Sequence, residues 1–168
     1  MGIHNLYREL LSSAYEELSQ MGNSTDGLDS VCILIDESLG DCFSFSLKKN
    51  RTQYLWLRKQ WDKRNDMRIA SDPIEQLKYI GQKILPSISI QHGVTRLDEA
   101  NKIFRYAENL DLDEKAVSNV IVLDGVGHTV KISLSKGNAE FKWNALPPGW
   151  EPLEELVNLM LDLNRKLA

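Results

Sequence analysis

Two stretches of this chain, 87 positions apart, carry the same strand–turn–strand pattern. Ser46-Leu47-Lys48-Lys49-Asn50-Arg51-Thr52-Gln53-Tyr54-Leu55-Trp56 aligns without a gap on Ser133-Leu134-Ser135-Lys136-Gly137-Asn138-Ala139-Glu140-Phe141-Lys142-Trp143. Ser, Leu, Lys and Trp are shared, and Tyr54 becomes Phe141. Successive side chains of a strand point to opposite faces. The matched residues Phe45/Ile132, Leu47/Leu134, Tyr54/Phe141 and Trp56/Trp143 therefore read as buried faces. The same order of elements recurs around each copy: a helix, three strands, a Trp-bearing connector (Trp61, then Trp150) and a second helix.

These patterns predict an α+β fold of two similar helix–three-strand–helix halves, 1–91 and 92–168, offset by 87 residues and forming antiparallel sheet packed with helices. A half of roughly 80 residues is marginal alone, so the halves are expected to share one core as a single domain over 1–168. Two arrangements satisfy this: one antiparallel sheet of about six strands with helices on a face, or two small sheets about a pseudo-twofold axis.

Apolar residues at three- and four-residue spacing predict helices over 3–21, 73–84, 97–110 and 152–167. Asp72-Pro73-Ile74-Glu75 opens the second of these with a cap, a proline at N1 and a glutamate at N3. Alternation and β-branched runs predict strands over 30–36, 42–47, 52–58, 119–123, 129–134 and 139–143, with a short extended segment at 87–91. Residues 59–71 read as a charged loop anchored by Trp61, and 111–118 as an acidic connector.

The sequence carries no pattern that catalysis needs. Cys32 and Cys42 lie outside any CxxC pair, and no Ser or Cys sits in a strand-to-helix elbow. Free thiols are expected; predicted placement on facing strands makes a cross-strand disulfide the alternative. His4, His92 and His128 are isolated, and the carboxylates Asp36, Glu37 and Asp41 lack a calcium-loop register. Asp124-Gly125-Val126-Gly127 leads into a strand rather than a helix, so it reads as a turn and not a phosphate cradle. The expectation is a protein that is not an enzyme and has no metal and no cofactor. The longest apolar run, Val120-Ile121-Val122-Leu123, is far short of a membrane span, and the N-terminus has no signal core. A cytoplasmic location is expected.

Charge is distributed unevenly. Between Lys48 and Arg68 eight basic residues face two acidic ones, a net +6 in a chain of net −4, so the remainder carries −10. The expected function is binding of another protein, as an immunity or inhibitor protein that neutralises a toxin or enzyme, since complementary charge selects partners. The candidate contact residues are Arg58, Lys59, Trp61, Lys63, Arg64 and Arg68 on the basic side, and Glu108, Asp111, Asp113 and Glu114 on the acidic side. One alternative is single-stranded nucleic acid, held by Arg51, Arg58, Lys63 and Arg64 with stacking on Tyr54, Trp56 and Trp61. Another is an enzyme whose residues converge only in space.

Overall fold

Val31-Cys32-Ile33-Leu34-Ile35 is an apolar run without a polar interruption, the pattern of a strand covered on both faces. The sheet is built outward from it. The computed structural model describes residues 3–20, 28–38, 40–79, 84–96, 98–112 and 125–167, with side chains from Leu6 onward. In chain order the elements are α1 (Ile3–Ser19), β1 (Ser30–Glu37), β2 (Cys42–Asn50), β3 (Gln53–Trp61), α2 (Lys63–Ser71), α3 (Pro73–Leu77), β4 (Ile88–Thr95), α4 (Asp98–Glu108), β5 (Val126–Leu134), β6 (Gly137–Trp143) and α5 (Glu151–Leu167). Among the described residues the protein is therefore α+β, with five helices and one antiparallel sheet of six strands in the order β4-β3-β2-β1-β5-β6.

The two faces of β1 carry separate cores. Val31, Ile33 and Ile35 join Phe45, Leu47, Val130, Ile132 and Trp143 beneath α4 and α5. Those helices contribute Ala100, Ile103, Phe104, Leu153, Leu156, Met160 and Leu163. On the opposite face Leu34, Cys42 and Trp61 meet Leu10, Ala14 and Leu18 of α1 and Ala70 of α2. Each fully buried aliphatic or aromatic side chain contributes about 1.5–3 kcal/mol relative to exposure, so the sheet is held from both sides. Helices on both faces replace the one-faced arrangement expected from the sequence. The strand covered on both sides is β1, while β3 is half-buried along most of its length.

The two hairpins share an alternation and differ in construction. Every matched inward residue does lie on the α4/α5 face, as the registers require. Yet the first hairpin turns at Arg51-Thr52, between Asn50 and Gln53, and the second at Ser135-Lys136, between Leu134 and Gly137. At an offset of 87 the turns therefore miss each other by three residues. Trp56 stands opposite Leu47, whereas Trp143 stands opposite His128. The helices α1 and α4, expected as counterparts, belong to the cores on opposite faces. The boundary between 91 and 92 falls inside β4. A shared apolar alternation accounts for the likeness, and no pair of equivalent halves follows from these elements. The strand expected over 119–123 lies outside the described residues.

Residues 59–71 are structured rather than a loop. Lys59 and Trp61 continue the alternation of β3, and the Asp62 carboxylate caps α2 by accepting from the Asn65 amide at 3.1 Å. Asp72 caps α3 through the Ile74 and Glu75 amides as its sequence predicts, but the helix stops at Leu77. Ile74 and Leu77, expected to face a core, are exposed. The extended segment expected at 87–91 runs through to Thr95 and becomes an edge of the sheet.

Candidate binding surface

The basic segment between Lys48 and Arg68 is largely spent on the protein's own structure. Lys59 is 4% exposed; its ammonium donates to the Glu17 carbonyl oxygen at 2.7 Å and to the Glu17 carboxylate at 2.8 Å. Lys63 donates to Asp36 Oδ1 at 2.7 Å and to the Glu37 carbonyl at 3.0 Å, tying the start of α2 to the end of β1. Asp36 also accepts from the Tyr15 hydroxyl, and burial together with this carboxylate raises the Tyr15 pKa. Arg58 lies over the Phe43 ring and donates to Gln60 at 3.0 Å. Lys49 is 3.9 Å from Glu108, so the basic segment and the acidic end of α4 partly neutralise each other.

Two of the three aromatic rings interleaved with these charges are committed too, and Trp56 is half-buried. Trp61 is 1% exposed and its indole donates to Asp66 at 2.7 Å. Tyr54 stacks on Phe104 and donates to Asn101 at 3.1 Å. Of the candidate contact residues, Arg64, Arg68, Glu108 and Asp111 reach solvent, Arg58 and Lys63 are half-buried, and Lys59 and Trp61 are interior. Arg64 and Arg68 stand on α2 and Glu108 on α4, whose cores lie on opposite faces, so the basic and acidic groups do not form one surface. Asp113 and Glu114 lie outside the described residues.

The two thiols are separate. Cys32 stands opposite Ser46 and Cys42 opposite Asp36, four positions apart along β1, and both cysteines are free. Burial pushes each thiol up to about 12. His128 stacks on Trp143 with its Nδ1 buried and unpartnered, and burial lowers its pKa. His92 is exposed on β4, and the side chain of His4 lies outside the described residues. Among the described residues no group of three His, Cys, Asp or Glu side chains is placed to hold a metal ion. None of the described helices is long and apolar enough to cross a membrane.

The surface that sequence reasoning missed is the β4 edge. Pairing to β3 in the register Leu55↔Val94, Leu57↔His92, Lys59↔Ile90 and Trp61↔Ile88 puts Ile88, Ile90, His92 and Val94 on the α1 side. Among the described residues no helix covers the outer part of this row: Ile90 is 52% and Val94 54% exposed. Five of the six large exposed hydrophobics found among the described residues, Ile74, Leu77, Leu85, Ile90 and Val94, fall between α3 and the end of β4. On that side a mainly apolar concavity of about 270 Å³ runs from β2 to β4, lined by Ser46 and Lys48, by Leu55 and Leu57, and by His92 and Val94. A larger hollow of about 620 Å³ beside α1 is lined by Lys131 and Lys142, and Glu140 pairs with both, at 3.5 and 3.2 Å.

An edge strand turns alternate backbone N–H and C=O groups outward, ready to pair with another strand. The other edge, β6, is protected in the usual way, with Glu140 and Lys142 among its seven residues. β4 reads Ile-Ser-Ile-Gln-His-Gly-Val-Thr and has neither Asp, Glu, Lys, Arg nor Pro in eight residues. Its sequence signal was present, in an uncharged run, but that run looks equally like an interior strand until the sheet order is known. Comparisons with protein-family models, with curated proteins and with solved structures found no match.

Proposed function

We propose that this protein is a binding module for another protein chain, and that it engages an extended segment of that chain through the outer edge of β4. One observation carries the reading: a fully extended, uncharged edge strand of eight residues bordered by exposed apolar side chains, in a sheet whose other edge is charged. Strand addition supplies main-chain hydrogen bonds for affinity and side-chain pockets for specificity. Exposed apolar clusters mark interaction surfaces more often than isolated exposed residues do. In the inhibitory form the bound chain belongs to a toxin or an enzyme, and the exposed charges Arg64, Arg68, Glu108 and Asp111 would help to select it. Single-stranded nucleic acid is the weaker reading, because stacking needs accessible rings, and of the three candidates Trp61 is buried and Tyr54 is half-buried and stacked on Phe104, which leaves only Trp56.

Peptides selected from a random display library on the whole protein provide the test. They are expected to slow amide exchange in residues 88–95, and to bind at least tenfold more weakly to Ile90→Lys or Val94→Lys than to the Arg64→Glu protein. Selected peptides that bind the two lysine variants normally and lose affinity with Arg64→Glu place the interaction on α2 and refute the edge reading.

A further inference from the structure

Gly93 is the one glycine of β4, and it lies directly opposite Trp56 of β3. A β-carbon added there would stand 2.9 Å from Trp56 Nε1 and 3.0 Å from Cε2 and Cζ2, closer than real side chains approach. The indole thus extends across β4 through the space a side chain would fill, on the α4/α5 side of the sheet. Strands are about 4.8 Å apart, so a ring that starts on β3 and covers β4 presents its outer rim to the next strand position. On the opposite side of the sheet, at the neighbouring residues His92 and Val94, lies the 270 Å³ apolar concavity. The edge therefore offers two different side-chain contacts one residue apart, on opposite faces.

We infer that β4 reads two consecutive apolar residues of its partner: one packs on the Trp56 indole opposite Gly93, and its neighbour enters the concavity walled by Leu55, Leu57 and Val94. This rests on strand addition at β4 and fixes its register, which backbone pairing alone leaves free to slip. The partner is a different chain rather than a second copy. Antiparallel continuation of the sheet by a twofold axis keeps matching faces together, so a copy would set Ser89, Gln91, Gly93 or Thr95 against the indole. Three of those are polar and one has no side chain.

The test uses the peptides selected from the display library on the full chain, with calorimetry for affinity and amide exchange for location. Binders are expected to share an adjacent apolar pair. Replacing the residue opposite Gly93 with threonine is expected to weaken binding about threefold to tenfold, the range of an aromatic contact. That difference is expected to vanish in Trp56→Leu and to persist in Trp56→Phe, whose ring keeps the contact; circular dichroism confirms the fold of each. Peptides that protect β4 yet show the same threonine effect in Trp56→Leu overturn this inference and leave strand addition standing. Peptides that protect other residues, or none, overturn both. Protection of β4 that rises with protein concentration in the absence of peptide makes a second copy the occupant and overturns the assignment.

Discussion

Asp66 is the residue whose loss is expected to cost most for its size. It is buried on α2, and its Oδ2 accepts two hydrogen bonds of 2.7 Å, one from the Trp61 indole and one from the Ser87 amide. Asp62 completes the clamp by donating its own amide to the Ser87 carbonyl at 2.9 Å, so the backbone is fixed from both sides just before β4 begins. Asp66→Ala removes the acceptor and leaves the Trp61 N–H buried without a partner, at about 2–3 kcal/mol for a bond to a charged group. Ser87 is exposed, so water recovers part of its loss, and about 1 kcal/mol is assigned there. The total, about 3–4 kcal/mol, is a large share of the 5–15 kcal/mol typical of a domain. It corresponds to a fall in Tm on the order of 10 °C for a chain of this length. Asp66→Asn keeps one oxygen in place and forfeits only the charge assistance, at about 1–2 kcal/mol. Urea denaturation followed by far-ultraviolet circular dichroism measures both, with the slope unchanged and the midpoint shifted. A loss below about 1 kcal/mol for Asp66→Ala, or equal losses for the two variants, would refute the reasoning.

Acidification tests His128. Its pKa is lowered in the folded state, chiefly by burial, with the Val126 backbone and Glu154 opposing. The unfolded chain thus binds the proton more readily, and stability falls as pH drops below the ordinary histidine value near 6.5. A Tm series against pH is expected to show a gentler acid decline for His128→Gln than for the parent; parallel curves would count against it. The thiols, at about 12, are ionised to about one part in ten thousand at pH 8. A colorimetric disulfide reagent is expected to modify Cys32 and Cys42 only at the rate of unfolding, and rapid stoichiometric labelling of the native protein would contradict their placement. Lys59→Met keeps the packed stem and removes a desolvated ammonium, so its stability change is expected to be within about 1 kcal/mol. Glu17→Ala, which leaves that ammonium only a carbonyl oxygen, is expected to be the more damaging of the two.

Which of these features the sequence announces depends on how local their causes are. Strands β1, β2, β5 and β6 and the helices α1, α4 and α5 follow from alternation or helical spacing, and their inward residues are those the pattern picks out. The Asp72 cap is likewise a local matter of a carboxylate and two amides. The segment 59–71 reads as solvent-facing because its charges hide their partners: Lys59 meets Glu17, Lys63 meets Asp36 and Trp61 meets Asp66. The first two partners are distant in the chain, so nothing in the segment itself distinguishes an internal ion pair from a wet loop. Ile74 and Leu77 mislead in the opposite direction, since helical spacing implies a buried stripe that tertiary packing does not supply. The candidate surface was least legible of all. Whether an apolar strand lies at the centre or the edge of a sheet depends on the order of all six strands, and isoleucine and valine alternate in the central β1 as they do in the edge strand β4.

The position of β1 also sets the order in which the chain can fold. Its partner β2 follows after a short turn, whereas its other partner, β5, pairs Val130 with Ile33 only after about a hundred further residues are available. Contacts so far apart in sequence close slowly. While the chain emerges from its N-terminal end, the meander of β1, β2 and β3 has nothing on the β1 side, and that bare edge is the most apolar in the molecule. The final structure guards β6 with charge and buries Ser30–Ile35 of β1. During synthesis the exposure is reversed, and the run Val31–Ile35 is the segment a chaperone or a neighbouring nascent chain would meet first.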